Sequence, residues 1–300
     1  MNRSDRLRAI LQALLVTFLW STSWVLIKKS IHDLPPLIFA GLRYALAALI
    51  LMPALWKHRT VVRRLSRQQW FSLVLLGLVF YTLTQGGQFM TLKYLDAIPF
   101  SLILNFSAPV VAVLSIFLLK ETPSLLQWGG ILVFLLGVAV YFFPLSLSNS
   151  SVLGFILAGF TVLANAGASL LGRAINRLRN IPSGVVTALS MSIGASVLLG
   201  IGITIEPFPL ISPQNWLVII WLAAVNTALA FALWNKSLQV LSAVESSVIN
   251  NTMLIQITLL AWLFLGESLD LKAVIGLLLA AVGVFLANYK PQQPVKFRKI

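Results

Sequence analysis

Shifting this chain by 146 residues lays it over itself. Trp70 falls on Trp216, Leu92 on Leu238, Leu95 on Leu241, Ala97 on Ala243, Ser101 on Ser247 and Asn105 on Asn251. Glu121 falls on Glu267, Gly130 on Gly276 and Gly137 on Gly283, and no gap is needed over this stretch. Internal repetition at one fixed offset means one structural unit used twice. Whatever the first half builds, the second must build again and pack against.

The unit is made of apolar segments. Hydrophobic residues form 59% of the 300-residue chain and charged residues 10%, with a mean hydropathy of +0.93, well beyond a soluble domain. A helical span needs about 20 apolar residues. Ten segments qualify: 9–29, 36–56, 70–90, 98–119, 126–144, 151–174, 182–205, 214–237, 242–265 and 271–289. The fold class expected is therefore an all-α membrane protein with ten transmembrane helices in two repeats. The first repeat is expected over 1–146 and the second over 147–300, ending in a short basic tail, the two together making one transport domain. Five crossings per copy is an odd number, so the second copy must be inserted upside down. Inverted repeats are a signature of alternating-access transporters.

A net charge of +14 raises the question of nucleic acid, and the placement of the charges answers it. Of 22 Lys and Arg, seventeen lie in loops on the side of the N-terminus, four on the opposite side, and Arg43 lies within span two. That asymmetry is the positive-inside rule, which predicts both termini in the cytoplasm, a multi-pass protein of the cytoplasmic membrane, and no nucleic-acid partner. The first span is too long for a signal peptide, lacks a small-x-small cleavage site and ends in Lys28-Lys29, so it reads as a retained helix. No P-loop is present and no cysteine, so neither ATP nor a thiolate metal site is expected, and no cofactor at all.

Trp56, Trp70, Trp128 and Trp216 fall at span ends, where amphipathic rings settle at the membrane interface. Gly130 and Gly137, with their copies Gly276 and Gly283, repeat every seven residues on one helix face. Small residues stacked in this way let backbones approach closely, so spans five and ten read as packing or dimer-forming helices. The chain is expected to be a monomer, or a homodimer through these peripheral helices.

Polar groups in the membrane interior are costly unless they face protein or a water-filled cavity, so depth selects the candidate site. Span one carries Trp20, Ser21, Thr22, Ser23 and Trp24 at its centre, with Trp20 and Trp24 one turn apart. They line a cavity or fill the core. Span three carries Tyr81, Gln85 and Gln88 at helical spacing, predicting one polar stripe. Asn165 sits near the middle of span six and Asn226 at the middle of span eight. Span four has Ser101 and Asn105 before Pro109; its copy, span nine, has Ser247, Asn250, Asn251, Thr252 and Gln256. This polar set is nearly absent from spans five and ten, which predicts a shared cavity among the other spans. Some members are interhelical glue worth about 0.6–2 kcal/mol each.

Two charges lie inside spans. Arg43 is roughly 10 Å deep at about 1.5 Å per residue, and either snorkels outward or meets an anionic group of a substrate. Glu245, one turn into span nine, is either a proton-coupling carboxylate, since burial favours its neutral form, or an exposed helix-start residue.

The run Trp20 to Trp24 resembles the signature of the EamA family of the drug/metabolite transporter superfamily. So do Leu42-Arg43-Tyr44-Ala45-Leu46-Ala47-Ala48, the Asn105 to Pro109 region, and Glu121 followed by Gly130 and Gly137. The resemblance covers essentially the whole chain. It implies ten helices in two inverted repeats, a cavity among spans one to four and six to nine, and transport of amino acids, related metabolites or drugs, often outward. Two departures from the internal repeat stand out: Leu189 occupies the copy of Arg43, and Ile255 the copy of Pro109.

The reading is a secondary transporter, not an enzyme, for a small metabolite, foremost a neutral or aromatic amino acid. Its expected partners are that solute and membrane lipid. The substrate-binding candidates are Trp20, Ser23, Trp24, Arg43, Tyr81, Gln85, Gln88, Asn105, Asn165, Asn226 and Asn251, with Glu245 for proton coupling. An intramembrane enzyme is the rival from another class. His32 and His58 lie in loops, and Asp5, Asp33, Asp96 and Asp270 are scattered, so neither a Ser-His pair nor a magnesium-binding cluster forms. A channel or structural membrane protein is the other rival.

Overall fold

The computed structural model describes residues 3–118, 124–143, 149–177, 181–238 and 243–288, and among them there is helix and no strand. Among the described residues each of the ten apolar segments forms helix. They are α1 (Arg3–Ser30), α2 (Pro36–Lys57), α3 (Arg67–Tyr94), α4 (Ala97–Leu104 and Ser107–Leu118) and α5 (Leu125–Phe142). The second set is α6 (Asn149–Arg177), α7 (Ser183–Ile205), α8 (Pro213–Ala223, continuing to Leu238), α9 (Ala243–Leu265) and α10 (Leu271–Asn288). Six are long and apolar enough to cross a membrane, and four are shorter apolar helices.

Local chemistry starts these helices at matching places. Ser66 accepts from Gln69 N at 3.2 Å while Gln69 returns a bond to Ser66 N, a capping box at the head of α3. One repeat later, Ser212 accepts from Asn215 N at 3.2 Å at the head of α8, with Pro213 in the first turn. In α4 the ladder breaks at Asn105–Phe106. Pro109 explains the break: it has no N–H for the Asn105 carbonyl, and its ring crowds that oxygen.

The packing obeys the repeat. The α1–α9 contact has its copy in α6–α4, α3–α6 in α8–α1, and α3–α7 in α8–α2, while α2–α7 and α5–α10 pair with their own copies. This pattern is a two-fold relation between inverted halves. A β-carbon on Gly137 would stand 2.6 Å from the Gly276 carbonyl oxygen, and one on Gly276 would stand 2.8 Å from the Gly137 oxygen. A β-carbon on Gly283 would stand 2.7 Å from the Gly130 carbonyl oxygen. The glycine faces expected on spans five and ten are thus used against each other within the chain. Large apolar side chains point outward in helical rows, Leu7, Leu11, Leu15 and Phe18 on α1 and Ile156, Phe160 and Leu163 on α6, as lipid-facing surfaces require. Trp56, Trp70, Trp128 and Trp216 are all exposed at helix ends.

Candidate functional site

Halfway along α3 and α8 the winding loosens. Gly77–Gln85 and Ala224–Leu229 are π-helical, and the 146-residue offset places 224–229 on 78–83. Both inverted repeats therefore carry the same rare irregularity at the same level, of the kind often found at functional sites. In α3 it begins where Gly77 meets Gly194 of α7: a β-carbon on Gly77 would stand 3.2 Å from Gly194 N. The Thr82 hydroxyl donates to the Gly194 carbonyl at 2.9 Å, and that of Thr84 to the carbonyl of Val79, five residues back, at 2.9 Å.

The wider turn redistributes the expected polar stripe. Tyr81 and Gln85 both converge on Tyr44 of α2: the Tyr rings lie 5.7 Å apart, and the Tyr44 hydroxyl donates to Gln85 Oε1 at 2.6 Å. Gln88 leaves this group, half-buried and without a hydrogen bond among the described residues.

Arg43 is 4% exposed and does not snorkel. Its Nε donates to Thr227 Oγ1 at 2.9 Å, in the π-helical segment of α8. The guanidinium carbon lies 5.2 Å from the Tyr44 ring centre and 5.9 Å from that of Phe89. Among the described residues no carboxylate pairs with it, and its two terminal nitrogens make no hydrogen bond. An arginine at helix centre costs about 2.5–3.5 kcal/mol on insertion scales, which this single bond and two ring faces offset only in part.

Trp20 and Trp24 have different fates. Trp20 is half-buried against Phe231 at 5.3 Å and Trp234 at 5.2 Å, both from α8. Phe231 continues to Tyr81 at 6.3 Å, so rings run from Trp20 to Tyr44 without interruption. Trp24 is buried on Phe100 of α4 at 5.1 Å, a core contact. The Ser23 hydroxyl donates to the Trp20 carbonyl at 2.6 Å, a bond within its own helix. Asn226 is fully buried; its Nδ2 donates to the Leu19 carbonyl and to Thr22 Oγ1 at 3.1 Å, while Oδ1 has no partner among the described residues.

Other candidates sit on seams. Ser21 donates to Gln256 Oε1 at 3.0 Å, and Gln256 Nε2 donates to Thr252 Oγ1 at 3.1 Å and Thr17 Oγ1 at 3.3 Å, stitching α1 to α9. Asn165 of α6 donates to Ser107 of α4 at 3.0 Å. Asn105 bonds the Ser101 carbonyl of its own helix at 2.7 Å. The side chains of Asn251 and Glu245, and all of Glu121, lie outside the described residues.

A charged group that the sequence did not single out closes the end of the bundle opposite the start of α1. Lys28 donates to the Leu92 and Leu95 carbonyls at 3.0 and 2.7 Å and pairs with Asp96 at 3.1 Å. Glu206 accepts from Leu37 N and Ile38 N, each at 3.0 Å, at the head of α2. Gly266, at φ +69°, ends α9, and the next residue, Glu267, accepts from Ala97 N at 2.7 Å and Ile98 N at 2.9 Å at the head of α4. Burial raises the Glu267 carboxyl above its usual range, opposed by the Ile98 and Ala97 donors; Asp96 raises it further and Lys28 lowers it. Lys28, Lys29, His32, Asp96, Phe264, Leu265 and Glu267 line a cavity of about 430 Å³ at this end. The scarcity of acids was the available signal: of eight Asp and Glu, Glu206 directly follows span seven, and Glu121 and Glu267 each stand two residues after a span.

Over most of its length the chain is similar to proteins named as transporters. It is 29% identical to the uncharacterized transporter YvbV of Bacillus subtilis, over 97% of this chain and 94% of that one. It is 24% identical to the uncharacterized transporter YoaV of the same organism, over 94% and 97%. A protein of Chlamydia trachomatis named as an S-adenosylmethionine/S-adenosylhomocysteine transporter is 27% identical over 87% of this chain and 83% of its own length. A crystal structure shares the fold with a TM-score of 0.68 at 20% identity, covering 93% of this chain and 96% of that one. The EamA-like transporter family model matches twice, over 7–143 and 152–289, once per repeat. The chain belongs to the EamA-like transporter family.

Proposed function

We propose that this protein carries a small amphipathic metabolite, foremost a neutral or aromatic amino acid or a related solute, outward across the cytoplasmic membrane. The repeats, divided at 146/147, rock about a central site and open it to one side at a time, as inverted-repeat transporters do. Both termini face the cytoplasm, given the seventeen-to-four division of basic charge. One observation carries the reading: matched π-helical segments in α3 and α8, around which Arg43–Thr227, Tyr44–Gln85 and the ring series from Trp20 meet at mid-bundle. Aromatic walls with a few fixed polar groups suit solutes that are part apolar and part polar. An adenosyl amino acid, the kind of solute named for the Chlamydia relative, falls within that range.

The test is counterflow into proteoliposomes loaded with a panel of amino acids, adenosyl amino acids and small amphipathic drugs. Saturable uptake, competed by unlabelled solute, is the expected result. Flux that rises linearly without competition points to a channel. Glu245 is the proposed proton site, and transport by Glu245→Gln that matches wild type at every external pH removes it from that role.

A further inference from the structure

We propose that Arg43 receives a carboxylate of the transported solute, so that the substrates carry a single carboxylate, amino acids among them, and are neither phosphate esters nor cations that lack a carboxylate. This rests on the transporter reading above and narrows it. Among the described residues every other Lys and Arg lies in a loop or near a helix end, and Arg43 stands alone in the interior. It is buried, and its Nε is directed to Thr227 in the middle of α8, on the opposite repeat. That bond fixes the plane of the guanidinium and leaves the two terminal nitrogens without a partner among the described residues. Two parallel N–H donors in one plane match the two oxygens of a carboxylate.

Charge selects among anions. One carboxylate matches the guanidinium charge for charge, and the ammonium that an amino acid brings is left to meet the faces of the Tyr81 and Phe231 rings, whereas a phosphate dianion leaves an uncompensated negative charge, which is strongly unfavourable. The Tyr44 and Phe89 rings, at 5.2 and 5.9 Å, supply an interim partner for the cation when no solute is bound. The site is single, because Leu189 holds the equivalent place in the second repeat. From Tyr44 the rings of Tyr81, Phe231 and Trp20 lead away as a continuous aromatic series, buried at Tyr81 and half-buried at Phe231 and Trp20, along which the rest of the solute would lie. A carboxylate on Arg43 and an apolar body along that series describe one molecule held in one orientation.

The experiment pairs phenylalanine, tryptophan, leucine and phenylacetate with their carboxamides. It reads the melting shift each gives the purified full-length protein and their counterflow in proteoliposomes. Agmatine and glucose 6-phosphate serve as cationic and phosphorylated probes. Wild type should favour acids over amides by at least about tenfold, a difference of about 1.4 kcal/mol. Arg43→Gln should lose that preference. Arg43→Lys, which keeps the charge but not the fork, should keep the preference with weaker binding, and it covers the case in which the glutamine variant does not fold. Equal response of wild type to acids and amides overturns the proposal, as does an acid preference that survives in Arg43→Gln, or flux confined to agmatine or glucose 6-phosphate. In those cases the transporter reading stands. If wild type moves no probe of any class, the transporter reading falls as well.

Discussion

Arg43 on the first repeat and Thr227 on the second are joined by a single hydrogen bond of 2.9 Å at the middle of the bundle, 184 residues apart in sequence. A hydrogen bond to a charged group contributes about 1.5–3 kcal/mol. Thr227→Val keeps the shape and removes the acceptor, so it should lower stability by about that amount. Thr227→Ser should restore it. Unfolding followed in detergent by circular dichroism reads both, and a valine variant as stable as wild type would show that the bond contributes nothing.

Trp20 and Trp24 separate packing from transport. Trp24 is buried on Phe100, and its truncation to alanine should cost about 3–5 kcal/mol and reduce the yield of folded protein. Trp20 is only half-buried between Phe231 and Trp234. Trp20→Ala should leave folded yield closer to wild type and impair uptake. Comparing monodisperse yield with counterflow for the two variants decides the matter, and full activity in Trp20→Ala removes it from the solute path.

Identical substitutions at two glycines should have opposite effects. A β-carbon at Gly137 meets the Gly276 backbone at 2.6 Å, whereas at Gly159 nothing lies within 4 Å. Gly137→Ala should destabilise by about 1–3 kcal/mol through overpacking. Gly159→Ala should stabilise by up to about 1 kcal/mol through helix propensity. Melting temperatures of the two variants test the pair.

Glu267 predicts a pH dependence of defined sign. Its carboxyl is raised in the folded protein, with burial as the main cause, so the folded state binds that proton more tightly than the unfolded chain. The stability it lends is complete below the ordinary value of 4.5 and is lost as pH rises through the raised value. Wild type should therefore lose stability over that interval relative to Glu267→Gln, which cannot ionise. Parallel melting curves for the two proteins would contradict the assignment.

Much of this architecture is legible in the sequence because the membrane permits little else. Hydropathy marks the ten helices to within a few residues, and the 146-residue echo reaches down to the serine caps at 66 and 212. The π-helical segments were not legible, since Gly77–Gln85 reads as ordinary apolar helix and the change of winding coincides with a close packing on Gly194 that lies far along the chain. For the same reason the stripe of Tyr81, Gln85 and Gln88 lost its third member. The side to which Arg43 turns depends on Thr227, far along the chain, which no local pattern discloses. Trp20 and Trp24 are equivalent by spacing and are told apart only by what α4 and α8 place opposite them.

The reciprocal seating of Gly137 on Gly276 bears on how such a chain arose. Gly137 meets Gly276, the copy of Gly130, and Gly283, the copy of Gly137, meets Gly130, so this crossed pair is also a contact that one half makes with an inverted twin. A five-helix ancestor inserted into the bilayer in both orientations would have assembled through this face before the two copies were fused. Fusion freed the halves to diverge, and Leu189 at the position equivalent to Arg43 is one such divergence. The glycine pair then preserves the symmetric ancestor inside a protein whose centre has become one-sided.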